Sequence, residues 1–291
     1  MMPSQMIGLD RDWLAAHPLP QPGGDTDKNK RGRVLAAGGS RTVPGALLLT
    51  GEAAFRAGAG KVQLATPGAK RIGLLMPEAG VFEMPFNAAG ELGTQAGALL
   101  AALLDKCDAC LIGPGMGAEA NGSDILEAVL AHPRDDLALV LDAGMIPECG
   151  KDDAAVRAWQ GRLILTPHPG EMAALMGCDE DDASPALAEK AAARFDATVV
   201  LKTSETWIAH PGAATLHYGG GGPGLATGGS GDVLAGIIVG LLARGAPPQV
   251  AAGWGVWLHG EAGKRLARRV GPLGFLGREL AAEVPGLMAS V

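Results

Sequence analysis

The 291-residue chain lacks a basic excess: 24 Lys and Arg are set against 31 Asp and Glu, for a net charge of −7. That excludes the usual electrostatic footprint of a nucleic-acid binder, and no Lys/Arg block suggests a membrane surface. Long hydrophobic runs are missing too. The longest apolar stretch, 233–243, is broken by glycines and is too short to span a bilayer. Residues 1–17 carry Asp10, Arg11 and Asp12 and no apolar core, so a signal peptide is not expected and a cytoplasmic protein is. Only four cysteines are present, too thinly spread for a disulfide framework. Cys107 and Cys110 form one C-x-x-C. It reads either as a redox pair or half a metal site, or as small apolar residues entering a buried strand. The second reading is stronger, because nothing supplies the remaining ligands of a structural zinc, which normally has about four.

Three motifs are absent as well. Without G-x-x-x-x-G-K-[ST] there is no P-loop. G-x-S-x-G does not occur, which removes the hydrolase elbow. G-x-G-x-x-G is met only formally by Gly219, Gly221 and Gly224, in a glycine run that follows a hairpin and opens no helix. A small-molecule ligand remains the best fit.

Apolar residues make up 47% of the chain, enough for a sizeable core. Residues 1–27 read as an appendage: a short helix within 9–16, then a proline–glycine break. The globular unit is expected over 28–291. There, short apolar runs at 33–37, 61–65, 109–112, 137–141, 163–165 and 199–201 end in glycine or polar residues, and helical spacing appears at 45–57 and 99–104. Apolar runs without alternation predict strands covered on both faces, hence an α/β protein with a mostly parallel sheet and right-handed crossovers. Residues 206–210 and 213–218 flank Pro211-Gly212 as a hairpin, followed by helices over 231–244 and 248–269.

Ligands gather at the carboxyl ends of strands in such sheets. That selects the segments 38–40, 113–117, 142–144, 166–171 and 202–206, joined by the loop 228–232. The loop opens directly into an apolar helix, so its N–H groups and the helix dipole converge on one spot suited to phosphate. Asp232 at this spot is either a helix cap or a chemical base. The N–H groups of Gly229, Ser230 and Gly231 are placed to hold charge on a phosphoryl group. Trp254, Trp257 and His259 read as core or subunit interface.

Gly32-Arg-Val-Leu-Ala-Ala-Gly-Gly-Ser, Ile112-Gly-Pro-Gly-Met-Gly, Leu165-Thr-Pro-His-Pro-Gly-Glu-Met and Pro223-Gly-Leu-Ala-Thr-Gly-Gly-Ser-Gly-Asp-Val-Leu together resemble the ribokinase-like superfamily. Within it, the chain resembles the ADP- or ATP-dependent NAD(P)H-hydrate dehydratases over about 28–285. The resemblance implies a ribokinase-like three-layer α/β/α fold and a lyase that repairs hydrated NADH and NADPH. The S epimer would be dehydrated through a phosphorylated intermediate. ADP, or ATP, is the implied phosphoryl donor, with Mg2+ bridging its phosphates.

By the same resemblance Asp232 is the base. Lys202, Thr203, Ser204, Glu205 and Thr206 form a phosphate and ribose cradle with Gly229, Ser230 and Gly231. The hydrated dinucleotide would meet Ala46, Gly115, Gly117, His168 and Asp232. His168 reads alternatively as a turn residue bonded to backbone, and Glu171 as a helix cap or an organiser of magnesium-bound water. No residue is expected to bind metal directly. Relatives commonly show Asp-Ala-Asp where this chain has Asp142-Ala-Gly144, which removes one polar contact, and Asn where Gly222 stands. Twenty-seven leading residues are too few for an epimerase domain, so a separate epimerase is the expected functional partner, and a homotetramer the expected assembly. The rival reading is a kinase of small alcohols such as a hydroxymethylpyrimidine or hydroxyethylthiazole.

Overall fold

A computed structural model describes residues 6–21, 23–132 and 134–291. Its strands are β1 (Met6–Gly8), β2 (Arg33–Ala37), β3 (Lys61–Thr66), β4 (Gly80–Glu83), β5 (Ala109–Ile112), β6 (Ala138–Leu141), β7 (Leu163–Leu165), β8 (Thr198–Lys202), β9 (Thr206–Ala209) and β10 (Thr215–Tyr218). The helices are α1 (Arg11–Ala16), α2 (Ala46–Arg56), α3 (Ala69–Leu75), α4 (Ala96–Leu103), α5 (Gly122–Leu130), α6 (Asp153–Arg157), α7 (Pro169–Met176), α8 (Pro185–Phe195), α9 (Ser230–Ala243), α10 (Pro248–Arg269) and α11 (Gly277–Met288). The strands make one sheet in the order β1-β10-β9-β8-β7-β6-β5-β2-β3-β4, in which β9 alone runs against the others.

Successive residues of the central strands enter different cores. Val34, Leu111, Val140, Ile164 and Val200 pack under α2, α9, α10 and α11. Leu35, Cys110, Leu139, Leu163 and Leu201 pack under α4, α5 and α8 on the other face. Both faces are dry, which is why these strands read as unbroken apolar runs. Cys107 and Cys110 are buried, and burial pushes the Cys107 thiol up to about 12, so both behave as core residues. No helix among the described residues is long and apolar enough to cross a membrane.

The hairpin and the two late helices match the sequence pattern within two or three residues. β4, α3, α5, α6, α8 and α11 are additional. The leading segment differs most. Residues 1–27 are expected as an appendage, yet Met6–Gly8 pairs with β10, and Trp13 and Leu14 are buried in the core beneath α10. A Cβ on Gly253 of α10 would come within 2.6 Å of the Trp13 ring, so the indole fills the space the glycine leaves. Trp254 Nε1 donates to the His17 carbonyl at 2.8 Å. A strand of three residues carries no periodic signal, and covering the β10 edge is its physical role.

Trp13→Ala should therefore lower stability by about 3 kcal/mol or more, the usual cost of truncating a buried indole. A urea midpoint that does not move would show that the leading segment is a passive appendage.

Candidate functional site

The sheet fixes where the site lies. Strand order runs outward from β2 to β3 and β4 on one side and from β5 to β8 on the other. The loops after β2 and β5 thus diverge at a topological switch point, where open α/β sheets bind ligands. Gly39 N donates to the Pro114 carbonyl at 2.7 Å across this point. Gly115 there has φ +69°, and a Cβ on it would sit 2.7 Å from Cβ of Ala46 at the start of α2. Two residues expected at the dinucleotide are thereby brought together. Gly117 N donates to Glu91 Oε2 at 3.2 Å; Glu91 is buried, and nothing in the sequence pattern singles it out.

α9 begins at the neighbouring loop. Its N-cap, Gly229, is left-handed at φ +85°, and any Cβ would strike Leu49 Cδ1 at 2.3 Å. The first turn receives no side-chain cap. Ser230 N donates to the Thr227 carbonyl at 3.2 Å, which leaves the Gly231 and Asp232 N–H groups open to a ligand. Asp232 lies in that turn but does not cap it, which removes the capping reading. The helix is pinned from behind: Thr50 Oγ1 donates to the Asp232 carbonyl at 3.2 Å, and Gly236 lets α2 approach so closely that a Cβ would lie 2.4 Å from the Thr50 carbonyl oxygen.

Charges meet where β6, β7 and β8 end. Lys202 Nζ is 3.1 Å from Asp142 Oδ1, and the same oxygen accepts from Thr166 Oγ1 at 2.6 Å. The Asp142 side chain is 5% exposed and that of Lys202 22%, so this is an interior ion pair, not a surface one. Burial works against the Lys202 charge, but Asp142, Glu171 and Asp232 outweigh it and raise its pKa. Burial raises Glu171, opposed by Lys202. Burial and then the Asp142 charge push Asp232 up to about 6, with Lys202 opposing. A carboxyl group that titrates there is a competent base near neutral pH.

His168 is the N-cap of α7. Its Nδ1 accepts from the backbone N–H of Gly170 and Glu171, while Glu171 Oε2 accepts from His168 N at 2.8 Å. The ring is exposed, with Nε2 3.2 Å from Glu171 Oε1. The backbone-bonded reading of His168 and the capping reading of Glu171 both describe the geometry.

A cavity of about 880 Å³ opens beside the start of α9, lined by Lys202, Thr203, Ser204, Thr206, Ser230 and Gly231 together with the 219–222 glycines. Its size and open backbone suit a nucleotide. Glu205 and Gly229 do not line it. Glu205 instead pairs with His217 Nε2 at 2.8 Å, and Gly229 turns the chain. His259 of α10 does line it, although helical spacing alone reads as core. Gly144, in place of a second aspartate, faces the carbonyl oxygens of Met116 and Gly117, at 3.3 and 3.4 Å from where a Cβ would lie. Among the described residues no three ligating side chains gather at one point. That is compatible with a magnesium ion that arrives on a nucleotide, since Mg2+ keeps phosphate oxygens and water as most of its ligands.

The folded pKa of Asp232 lies above its ordinary 3.8, so the ionised form costs stability. The cost vanishes only well below pH 4, where the group is protonated folded or unfolded, is already small at pH 4, and is nearly complete above about pH 6. Asp232→Asn should thus stabilise the fold by roughly 2–3 kcal/mol at pH 7.5 and by far less at pH 4. Denaturation at the two pH values checks this; an equal effect at both would contradict it.

A family model described as NAD(P)H-hydrate dehydratase matches residues 34–285. The ADP-dependent (S)-NAD(P)H-hydrate dehydratase of Xanthomonas campestris is 46% identical over 281 residues, covering 94% of this chain and 93% of that protein. A ribokinase-like superfamily protein from Enterococcus faecalis superposes with a TM-score of 0.83 at 30% identity, over 98% of this chain and 96% of the other. The ADP/ATP-dependent NAD(P)H-hydrate dehydratase of Bacillus subtilis, co-crystallised with ATP/Mg2+, superposes with a TM-score of 0.81 at 26% identity, over 100% and 99%. With this three-layer fold and these matches across nearly its whole length, the chain belongs to the NAD(P)H-hydrate dehydratase family.

Proposed function

We propose that this protein dehydrates the S epimer of NADH and NADPH hydrates, coupled to cleavage of ADP into AMP and phosphate. One observation carries the mechanism: Asp232, a carboxyl group with a pKa of about 6, stands in the uncapped first turn of α9, directly after Ser230 and Gly231, which line the nucleotide-sized cavity while Asp232 itself does not.

Hydroxide leaves poorly at neutral pH and phosphate leaves well, so the hydroxyl is phosphorylated first. Asp232 takes its proton as the hydroxyl oxygen attacks the terminal phosphorus of ADP, and AMP departs. The N–H groups of Gly229 and Gly231 hold the charge that grows on the transferred group, the Ser230 N–H being taken by the Thr227 carbonyl, and Lys202 adds a positive charge. The ring nitrogen lone pair then expels phosphate, and loss of a proton from the neighbouring carbon re-forms the double bond. Bound magnesium would neutralise the donor phosphates, with Glu171 reaching it through water. Lys202, Thr203, Ser204 and Thr206 form the nucleotide wall in this reading, and Ala46, Gly115, Gly117 and His168 the dinucleotide side. A separate epimerase and a cytoplasmic location complete it. So does assembly into a tetramer, for which Leu74 and Leu75 of α3, 86% and 69% exposed, offer apolar surface to a partner copy.

Hydrated NADPH incubated with ADP and magnesium should regain its near-ultraviolet absorbance while releasing phosphate in equal amount. Phosphate retained on an organic product would instead identify a small-alcohol kinase. Asp232→Asn should abolish turnover and leave ADP affinity within about threefold, an interaction lost only in the transition state. Since the base is lost on protonation, kcat/KM should fall about tenfold per unit below pH 6. A flat profile down to pH 5 would remove Asp232 from that role.

A further inference from the structure

His259 is a buried polar residue that the mechanism above leaves unused. It projects from α10 into the cavity wall, is 9% exposed, and has Nε2 2.9 Å from Ser230 Oγ. Ser230 is itself buried and is the first residue of α9. Removing an imidazole and a hydroxyl from water is costly unless they satisfy each other, and an apolar pair would pack this helix contact more cheaply. The contact joins residues 29 apart in sequence, at the first turn of α9.

Protonation does not govern the ring. Burial, opposed by a hydrogen bond to the Ser230 backbone and aided by the Lys202 charge, takes the His259 pKa down to about 4. A neutral imidazole carries one N–H and one lone pair. When the N–H is on Nε2, Ser230 Oγ accepts it, and the serine proton is free to point into the cavity.

We propose that His259 is a positioning residue for phosphoryl transfer: by bonding Ser230 it aims that hydroxyl, and the first turn of α9, at the phosphoryl group in flight. The inference rests on the reading that this turn holds that group. His259 touches neither the hydroxyl being phosphorylated nor the base; it acts through Ser230.

A double-mutant cycle tests the coupling. His259→Ala and Ser230→Ala should each lower kcat by about 10- to 100-fold while KM for ADP changes by less than about threefold, as for a donor that strengthens in the transition state. The double variant should be no slower than Ser230→Ala by more than about twofold, because both changes break one interaction. His259→Gln, whose amide N–H can reach the serine, should recover most of the activity; His259→Asn, one bond shorter, should not. That comparison stands even where the alanine variant fails to fold. Losses that multiply, a change confined to KM, or equal activity of the Gln and Asn variants would overturn the proposal. Asp232→Asn measured in parallel separates the two levels: surviving turnover there defeats the underlying reading, whereas abolished turnover leaves the cycle to judge His259 alone.

Discussion

Everything at the site turns on one ammonium group. Lys202 is the charge that Asp142, Glu171 and Asp232 share, at strand ends where little water penetrates. One cation cannot neutralise three carboxylates in such surroundings. Asp142 has first claim on it, through a direct ion pair reinforced by Thr166. Burial, and then the Asp142 charge, raise the pKa values of the other two acids against the pull of Lys202. For Asp232 the result is a carboxyl group poised near neutrality, ionised often enough to accept a proton and basic enough to want it.

The fold supplies the fixed frame that this balance needs. Asp142 directly follows β6 and Lys202 ends β8, two strands separated only by β7, so their approach is set by sheet register and not by a flexible loop. α9 is held by close backbone contact with α2 at Gly236 and by the Thr50 bond to the carbonyl of Asp232. The acid, the cation and the N–H groups therefore sit on rigid elements, while the 219–222 glycines line the adjoining cavity. The stability that Asp232 forfeits at neutral pH is of the kind expected where a site departs from what folding alone prefers.

Much of this is legible in the residues, and the rest is hidden for definite reasons. Strands such as Leu163–Leu165 announce themselves because both faces are buried, and the loops that end them locate the site by topology alone. The Ser230–Asp232 turn is legible because glycines open directly into an apolar helix. β4 is invisible because it is a half-buried edge strand with no apolar run, and β1 because three residues carry no period. α5 does have signal in Ile125, Leu126, Val129 and Leu130, and α8 has one in the Ser184 cap; both follow strands whose endings draw the attention first. Contacts between distant residues leave no local mark. Nothing near position 142 foretells Lys202, nothing near 259 foretells Ser230, and nothing near 205 tells that Glu205 turns aside to His217.

Burial and the Asp142 charge raise Asp232 while Lys202 restrains it. Carbon-13 NMR of aspartate side-chain carboxyls, assigned by the Asp232→Asn variant, reads this directly. The Asp232 resonance should titrate near pH 6 in the free protein and move to higher pH when Lys202 is replaced by Met. Titration in the ordinary carboxylate range near 4, or a midpoint indifferent to Lys202, would contradict the account.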